Sequence, residues 1–416
     1  MTAHADTIWS AAIAAVRPEA LLAGLALPLD DVDRIVVVGG GKAAAGMAAG
    51  VEALLGADAL TRHRVTGLVS VPEGCGRKLA RIEVRETRPL AANLPTPAVV
   101  EATEEMLAAV ARLGPRDLVI AVITGGGSAL LAAPRPGITL EEKIAVTKRL
   151  SAAGASIAQL NAARREMSRV KGGGLARASG AGRLIAVVLS DVIGDDLDVI
   201  SSGPCMPLEP GTTGAWITPT GCRVEHRIVG SNATAVAAAE RAARSLGYEI
   251  VATEVPAEAA AEATGRALAA EALRLVRSSQ SDGRPRAIVS GGEATVVVPA
   301  DHGRGGRNQQ TVLVAIDAVL RDAGHWPDGL VIASVGTDGE DGPTDAAGAC
   351  ADASVARAIA GSSLNIDRAL ARCDAYPLLD SAGGLIRTGP TGTNVADLDR
   401  KSTRLNSSHE WISRMP

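Results

Sequence analysis

The sequence predicts an α/β protein with a mostly parallel sheet covered by helices on both faces, followed by a second, smaller α/β domain. Short apolar runs of strand length alternate along the 416-residue chain with helical stretches. Several of these runs lead directly into glycines, which is typical of strands that end at the carboxyl edge of a parallel sheet. The length is sufficient for two domains with a core each.

The first half of the chain repeats a strand-then-helix order, and its strands are apolar throughout, as expected for strands buried on both faces. The first helix has the apolar spacing of a surface helix, and Pro97 stands in the first turn of its helix, where a missing N–H is tolerated. The predicted strands are 35–38, 66–71, 118–123 and 184–189, and the predicted helices are 7–27, 43–55, 96–113, 139–153 and 155–169.

The second half begins after a Pro/Gly/Thr-rich stretch at 203–222 and again alternates. Its predicted strands are 227–229, 249–253, 286–290, 294–298 and 329–335. One predicted helix follows Asn232 and ends near 245, and the others span 258–277, 309–321 and 352–360. The polar segment 278–285 is interpreted as a hinge between domains, and the chain is expected to form a hairpin near 378–389.

Composition excludes several classes of protein. The net charge of −4 implies no nucleic-acid partner, and five widely spaced cysteines without a C-x-x-C pair indicate neither a disulfide framework nor a zinc site. No apolar run approaches the length that spans a bilayer, and the N-terminus lacks the pattern of a secretory signal. We therefore expect no membrane partner and a cytoplasmic location.

Two triple-glycine loops are the most informative motifs. One comprises Gly39, Gly40, Gly41 and Lys42, and the other comprises Gly125, Gly126, Gly127 and Ser128; each follows an apolar run directly. Such loops leave bare backbone N–H groups at the edge of a sheet, where a following helix N-terminus can receive an anion. The pair predicts a nucleotide or a phosphorylated ligand.

The first loop admits three interpretations. Gly39-x-Gly41-x-x-Ala44 fits a loose dinucleotide fingerprint in a Rossmann-like sheet, although the acidic residue that would hold the ribose comes late, at Glu73. A strict P-loop is excluded, because Lys42 is followed by alanine and not by serine or threonine. The third interpretation is a turn whose glycines serve only close packing between helix and strand.

Four further residues are candidates for chemistry. Only six lysines occur, and Lys171, like Lys42, adjoins a triple glycine. Asp191 follows a predicted strand, Arg307 stands at a helix start among glycines, and Asp338 lies on an acidic loop after the strand 329–335. The histidines and serines show no pattern of nucleophilic catalysis, so electrostatic catalysis of the phosphoryl-transfer type fits better.

These motifs together resemble the type-II glycerate 2-kinases, a family built of a DUF4147 domain and a MOFRL domain. The resemblance covers about residues 7–398. In chain order it is carried by Val37–Ala43, Thr124–Leu130, Ser168–Leu175, Leu189–Val192, Ser202–Pro204, Gly230–Asn232, Ser290–Glu293, Gly306–Gln309, Gly336–Gly339 and Thr391–Asn394.

The resemblance implies phosphorylation of D-glycerate at its 2-hydroxyl by ATP with Mg²⁺, in a cleft between two α/β domains. Lys42 and Arg307 match the family's catalytic lysine and arginine. The nucleotide is expected on the two glycine loops, Lys171 and Asn232, and the metal on Asp191 and Asp338. Many relatives are labelled hydroxypyruvate reductase. An NAD(P)H-dependent hydroxypyruvate reductase and a non-catalytic sugar-acid binding protein therefore stay open, as does a homo-oligomer.

The resemblance divides the chain into a DUF4147-like domain at 7–245 and a MOFRL-like domain at 286–398. Two departures from the family pattern stand out. The segment between Pro204 and Gly230 is shorter than usual, and the residues 399–416 replace the expected final apolar strand with sequence that looks foreign. If that strand were missing, an exposed sheet edge would result.

Overall fold

The structure is a computed structural model that describes residues 3–89, 94–153, 157–207, 214–252, 258–362 and 364–403. The chain forms two compact units. The first unit comprises Val16–Ser231 together with Gly392–Val395, and the second comprises the residues up to Ala15, Asn232–Thr391 and the residues from Ala396 onward. The first helix, α1 (Ala3–Ala15), therefore belongs to the second unit and packs on its helix 232–245.

The first unit contains a sheet whose strand order is β3-β2-β1-β4-β5-β7-β6. Every neighbouring pair is parallel except β6 and β7, which confirms the mostly parallel sheet. The strands are β1 (Arg34–Gly40), β2 (Thr66–Pro72), β3 (Ile82–Arg88), β4 (Asp117–Thr124), β5 (Arg183–Leu189), β6 (Trp216–Ile217) and β7 (Arg223–Gly230).

Helices flank this sheet and are short wherever glycine begins them. Their bounds are α2 (Pro18–Leu22), α3 (Ala44–Arg62), α4 (Pro97–Ala111), α5 (Gly127–Leu130), α6 (Leu140–Ala152), α7 (Ile157–Glu166) and α8 (Gly174–Ala178), and a 3₁₀ turn spans Ile200–Ser202. Strand β4 is buried over its whole length, and its Val119, Ala121 and Ile123 pack in a core with residues of β1 and β5. Burial on both faces explains why these strands lack a polar alternation.

The second unit contains a mostly antiparallel sheet of strand order β12-β11-β10-β13-β9-β8, in which only β8 and β9 pair in parallel among the described residues. Its strands are β8 (Glu249–Ile250), β9 (Arg286–Gly292), β10 (Leu330–Gly336), β11 (Gly348–Ala351), β12 (Leu385–Ile386) and β13 (Asp397–Thr403). Its helices are α9 (Asn232–Ser245), α10 (Ala261–Asp282), α11 (Arg307–Ala323), α12 (Ala353–Ala360), α13 (Ile366–Ala371) and α14 (Ala375–Ser381). The second, smaller α/β domain is thereby confirmed.

Several sequence expectations about this unit are wrong. The polar segment predicted as a hinge is mostly the last turns of α10, which ends only at Gly283 in the left-handed conformation. The β-branched run 294–298 makes a single bridge, through Thr295, and exposes Val297, so strand propensity is overridden by the lack of a partner there. The expected hairpin near 378–389 is instead α14 followed by the short β12.

The sequence also missed β3 in the first unit, because its alternating charged residues are those of an edge strand. Of the Pro/Gly/Thr-rich stretch, 208–213 lie outside the described residues, as do 404–416 of the expected foreign tail. Among the helices in the described ranges, none combines the length and the apolarity that crossing a bilayer requires.

The polar segment from Asp399 onward occupies an unexpected place. Residues up to Thr403 extend β13, which lies between β10 and β9 in the interior of the second sheet, so the exposed edge considered above does not occur. Lys401 is fully buried, and its Nζ has no hydrogen-bond partner. Two guanidinium nitrogens of Arg400 are likewise buried without a hydrogen-bond partner. An apolar strand would avoid these unpaired groups, and the foreign origin of the segment stays a prediction.

We expect Lys401→Met to raise the free energy of unfolding at pH 7 by about 2–3 kcal/mol. Burial lowers the pKa of Lys401 from 10.5 to about 8, against the opposing charge of Asp399. The unfolded chain therefore binds more protons than the folded chain between pH 8 and 10.5, and the penalty, complete below pH 8, disappears as the pH rises through this window. Urea unfolding at pH 7 to 10 measures it.

The exposed Lys78 provides the matched control for this prediction. Lys78→Met is expected to change stability by less than about 0.5 kcal/mol at every pH. If Lys401→Met gave no more stability than the control, or if its advantage did not shrink between pH 8 and 10, the buried position of Lys401 would be contradicted.

Candidate active site

The two triple-glycine loops lie side by side at the carboxyl edge of the first sheet. They follow β1 and β4, which are adjacent parallel strands with Gly39 opposite Val122 and Gly40 opposite Ile123. The chain passes from β1 to β2 on one side and returns to β4 on the other, so the strand order reverses between β1 and β4. Ligands of open α/β sheets bind in the crevice at such a reversal.

Backbone hydrogen bonds join the two loops. The N–H of Lys42 donates to the carbonyl oxygen of Gly125 at 2.8 Å, and the N–H of Ala43 donates to Oγ1 of Thr124 at 3.2 Å. These two hydrogen bonds position the loops relative to each other, and the backbone of Lys42 is thereby held against the second loop.

The side chain of Lys42 extends over Gly126. This glycine has φ 77°, a left-handed conformation that other residues rarely adopt, and a Cβ placed on it would lie 3.3 Å from Cγ of Lys42 and 3.7 Å from Nη2 of Arg88. Arg88, the last residue of β3, is buried, and its Nη1 donates to the carbonyl of Pro89 at 2.9 Å. The sequence missed Arg88 because it missed the strand that carries it.

A carboxylate lies against the same loop. Asp191 lies two residues after the end of β5, and a Cβ on Gly125 would overlap both its Oδ2 and Nδ2 of Asn394. Nδ2 of Asn394 donates to Oδ2 of Asp191 at 3.3 Å. Only a glycine at position 125 allows these polar groups to approach the backbone so closely.

Lys171 is buried beneath the second loop and is hydrogen-bonded to it. The side chain is buried, and its Nζ donates to the carbonyl oxygens of Ser128 at 2.9 Å and of Ser201 at 3.4 Å. Burial, reinforced by neighbouring cations, lowers the pKa of Lys171 well below its ordinary value. A charged lysine here is therefore stabilised whenever an anion comes near.

In the second unit, Arg307 is the first residue of α11 and is held by two carboxylates. Its Nε and Nη2 donate to the two carboxylate oxygens of Asp397, at 2.6 and 3.0 Å, and its Nη1 donates to Oε1 of Glu293 at 2.6 Å. The Asp397 side chain is almost fully buried, whereas about a third of the Arg307 side chain is exposed. Three of the five N–H groups of the guanidinium are thus engaged.

The side chain of Asp341 caps the N-terminus of α11. Its two carboxylate oxygens accept hydrogen bonds from the backbone N–H groups of Asn308 and Gln309, at 3.0 and 2.9 Å. Burial raises the pKa of the Asp341 carboxyl to about 7, although these two N–H groups stabilise its ionised form. Because Asp341 occupies the helix N-terminus, Arg307 itself must provide any anion recognition here.

Asn232 and Asp338, also predicted as site residues, belong to the surroundings of Arg307. Nδ2 of Asn232 donates to the backbone carbonyl of Asp397 at 2.9 Å. Oδ1 of Asp338 accepts from the N–H of Glu340 at 2.9 Å, and burial raises the pKa of Glu293, with a small further contribution from the charge of Asp338. The sequence motifs predicted Arg307 as a site residue but not its ion-pair partners Asp397 and Glu293.

Within the part of the chain that the structure describes, no three His, Cys, Asp or Glu side chains are grouped as an all-protein metal site requires. Mg²⁺ does not need such a site, since it is usually held by one or two carboxylates together with substrate phosphates. Asp191, a carboxylate packed against Gly125 of the second loop, fits that requirement.

Comparison with known proteins gives two family matches. Residues 4–236 match the family described as domain of unknown function DUF4147, and residues 286–397 match the MOFRL family. The chain is 33% identical to the D-glycerate 2-kinase of Thermotoga maritima, over 89% of this chain and 91% of that protein. The chain belongs to the type-II glycerate 2-kinase family.

The glycerate 2-kinase family includes proteins with another label. A putative hydroxypyruvate reductase of Agrobacterium vitis is 35% identical to this chain, over 94% of the chain and 92% of that protein. Among solved structures, the crystal structure of a glycerate kinase from Thermotoga maritima is similar, with a TM-score of 0.77 and 31% identity, covering 97% of this chain and 99% of that one. The chain is thus an enzyme of the glycerate kinase class.

In this member of the glycerate 2-kinase family, the predicted site residues fall into two groups. The carboxyl edge of the first sheet brings together both glycine loops, Lys42, Lys171 and Asp191. The second unit brings together Asn232, Arg307 and Asp338. One expectation is wrong: the helix after the second loop, α5, has only four residues, too few for a helix dipole to bind an anion.

Proposed function

We propose that the protein phosphorylates D-glycerate at its 2-hydroxyl with ATP and Mg²⁺, and so forms 2-phosphoglycerate. The observation that carries this proposal is the convergence of the two glycine loops at the strand-order reversal, with the Lys42 side chain lying over Gly126. A lysine that lies over a glycine loop is suited to phosphate oxygens. The names of the relatives supply the acceptor, glycerate.

The nucleotide phosphates would rest on Gly125–Ser128, with Gly39–Gly41 as the second wall. Since α5 is short, side chains must supply most of the attraction, and Lys42, Arg88 and Lys171 all adjoin this loop. Lys42 would neutralise charge that develops on the transferring phosphoryl group. Its compact ammonium suits this task better than a guanidinium, which requires a fixed planar partner.

Mg²⁺, when bound, would neutralise phosphate charge and orient the phosphate chain. Asp191 is the residue that we assign to hold it, because this carboxylate is packed against Gly125 and the Asn394 amide orients it. Asp338, which lies near Glu293 in the second unit, stays a predicted metal ligand.

Arg307 would bind anionic oxygens of glycerate or of the transition state with the two N–H groups that Asp397 and Glu293 leave unused. The two carboxylates hold the guanidinium in one orientation before the substrate arrives, which reduces the entropy lost on binding. No general base is assigned, since the loose transition state of phosphoryl transfer requires mainly that the acceptor hydroxyl be positioned.

One assay tests the proposal. The purified protein is incubated with D-glycerate, ATP and Mg²⁺, and the product is identified by ³¹P and ¹³C NMR, which distinguish phosphorylation at the 2-hydroxyl from phosphorylation at the 3-hydroxyl. We expect 2-phosphoglycerate, and none without ATP. Oxidation of NADH by hydroxypyruvate without any ATP-dependent product would overturn the proposal in favour of the reductase, and binding of glycerate without either turnover would favour a sugar-acid binding protein.

A further inference from the structure

A pocket of ≈ 150 Å³ lies beside the second glycine loop, within the first unit. The loop contributes Gly126 and Ser128 to its wall, α6 contributes Lys143 and Thr147, and α7 contributes Arg164. Lys171, whose Nζ donates to the carbonyl oxygen of Ser128, is the third cationic residue of the wall. Helices α6 and α7 thus bring two cations to the loop that the glycine motif did not indicate.

The positive charges of this pocket are not balanced within it. None of the described residues that line it is acidic. Nζ of Lys143 donates to the carbonyl oxygen of Arg164 at 3.3 Å, and Nη1 of Arg164 donates to Oδ1 of Asn161 at 3.4 Å, so their hydrogen-bond acceptors are neutral. Burial, with a contribution from Arg164, lowers the pKa of Lys143 to about 8, and burial also lowers the pKa of Arg164.

Three clustered cations without a carboxylate are stable only with an anionic ligand or at a cost in free energy. The number of charges indicates which anion. Glycerate carries one negative charge, whereas the triphosphate of a nucleotide carries three or four at neutral pH and has enough oxygens to reach several cations. The position of the pocket next to Gly126 and Ser128 places it where a phosphate chain on the loop would continue.

We infer that Lys143 and Arg164 bind the phosphate chain of the nucleotide, as a second pair of cations beyond Lys42 and Lys171. This inference rests on the proposed function, because it assigns the same loop to phosphate. Lys143 and Arg164 are nucleotide-binding residues in this assignment, and the carboxylate of glycerate is recognised elsewhere.

Inorganic tripolyphosphate is the probe that separates this inference from the activity. Its binding to the full chain is measured by titration calorimetry for the wild-type protein, Lys143→Gln and Arg164→Gln, and KM for ATP and for D-glycerate is measured where turnover occurs. Each variant is expected to weaken tripolyphosphate binding and to raise KM for ATP by about 10–100-fold, the effect of losing one charge-assisted hydrogen bond. KM for D-glycerate is expected to stay within about twofold.

Lys148, exposed on the same helix α6, provides the matched control, and Lys148→Gln should change neither quantity. Since replacement of the buried Lys143 can unfold the chain, Thr147→Glu is a second test: it adds a carboxylate to the same wall and should also weaken tripolyphosphate binding at least tenfold.

Any one of three results would overturn the inference. The first is wild-type affinity for tripolyphosphate in folded Arg164→Gln and Thr147→Glu. The second is a rise of KM for D-glycerate without a rise of KM for ATP, and the third is an equal loss of tripolyphosphate affinity in Lys148→Gln. If the protein bound tripolyphosphate in this pattern but phosphorylated no glycerate, the pocket assignment would stand and the proposed acceptor would be wrong.

Discussion

Replacing Lys42 by methionine is expected to lower kcat for glycerate phosphorylation by about 10³-fold while the free energy of unfolding changes by less than about 1 kcal/mol. The backbone N–H of Lys42 joins the two glycine loops, and this hydrogen bond is kept when the side chain is replaced. Methionine keeps the apolar stem that covers Gly126 and removes only the charge. Steady-state kinetics and urea unfolding measure the two effects.

Two comparisons make the Lys42 prediction specific. Lys78→Met removes an exposed lysine elsewhere in the same unit and is expected to leave kcat unchanged. Lys42→Arg keeps the charge but not the compact ammonium, and should recover only part of the lost rate. Wild-type turnover in Lys42→Met would show that this residue has no part in the reaction.

Replacing Arg307 by methionine is expected to abolish measurable turnover and also to destabilise the second unit by about 2 kcal/mol. The substitution leaves the nearly buried carboxylate of Asp397 without its bidentate partner, and Glu293 without its ion pair. Because about a third of the Arg307 side chain is exposed, solvent screening keeps the loss below that of a fully buried pair. Urea unfolding monitored alongside kinetics measures both consequences.

The stability component of the Arg307 prediction is tested by a double variant. Adding Asp397→Asn to Arg307→Met removes the uncompensated charge and should return most of the lost stability, but none of the activity. Arg321→Met, on the same helix, breaks only exposed ion pairs with Asp317 and Asp367, and should cost less than about 0.5 kcal/mol. Equal losses in Arg307→Met and Arg321→Met would contradict the partners assigned to Arg307.

Much of the first unit was predictable because its central strands consist mainly of consecutive apolar residues. The run 35–38 and the glycines after it predict a buried strand that ends in a loop, and β1 followed by the Gly39–Lys42 loop is what the structure contains. Charged edge strands and very short strands carry no such pattern. Strand β3, with alternating charges, and β11, made of four small residues, were therefore missed.

The candidate site was predictable in its motifs and not in its partners. Glycine, lysine and aspartate directly after a strand pointed to Lys42, the loop 125–128 and Asp191. Nothing in local sequence pairs Arg307 with Asp397, which are 90 positions apart, or brings Lys143 and Arg164 from two amphipathic helices to one loop. Such encounters depend on strand order and helix packing, and these are properties of the whole fold.

By itself, the sequence determined the α/β class, the apolar strands of the first unit and the glycine loops, because each of these is specified by a few neighbouring residues, and its motifs indicated the glycerate 2-kinase family. The tertiary structure alone decided that β1 and β4 are neighbours, that the second sheet is mostly antiparallel, and that β13 lies inside it with Lys401 buried. The physical reason is that strand pairing satisfies backbone hydrogen bonds between segments far apart in the chain, and local sequence does not encode which segments those are.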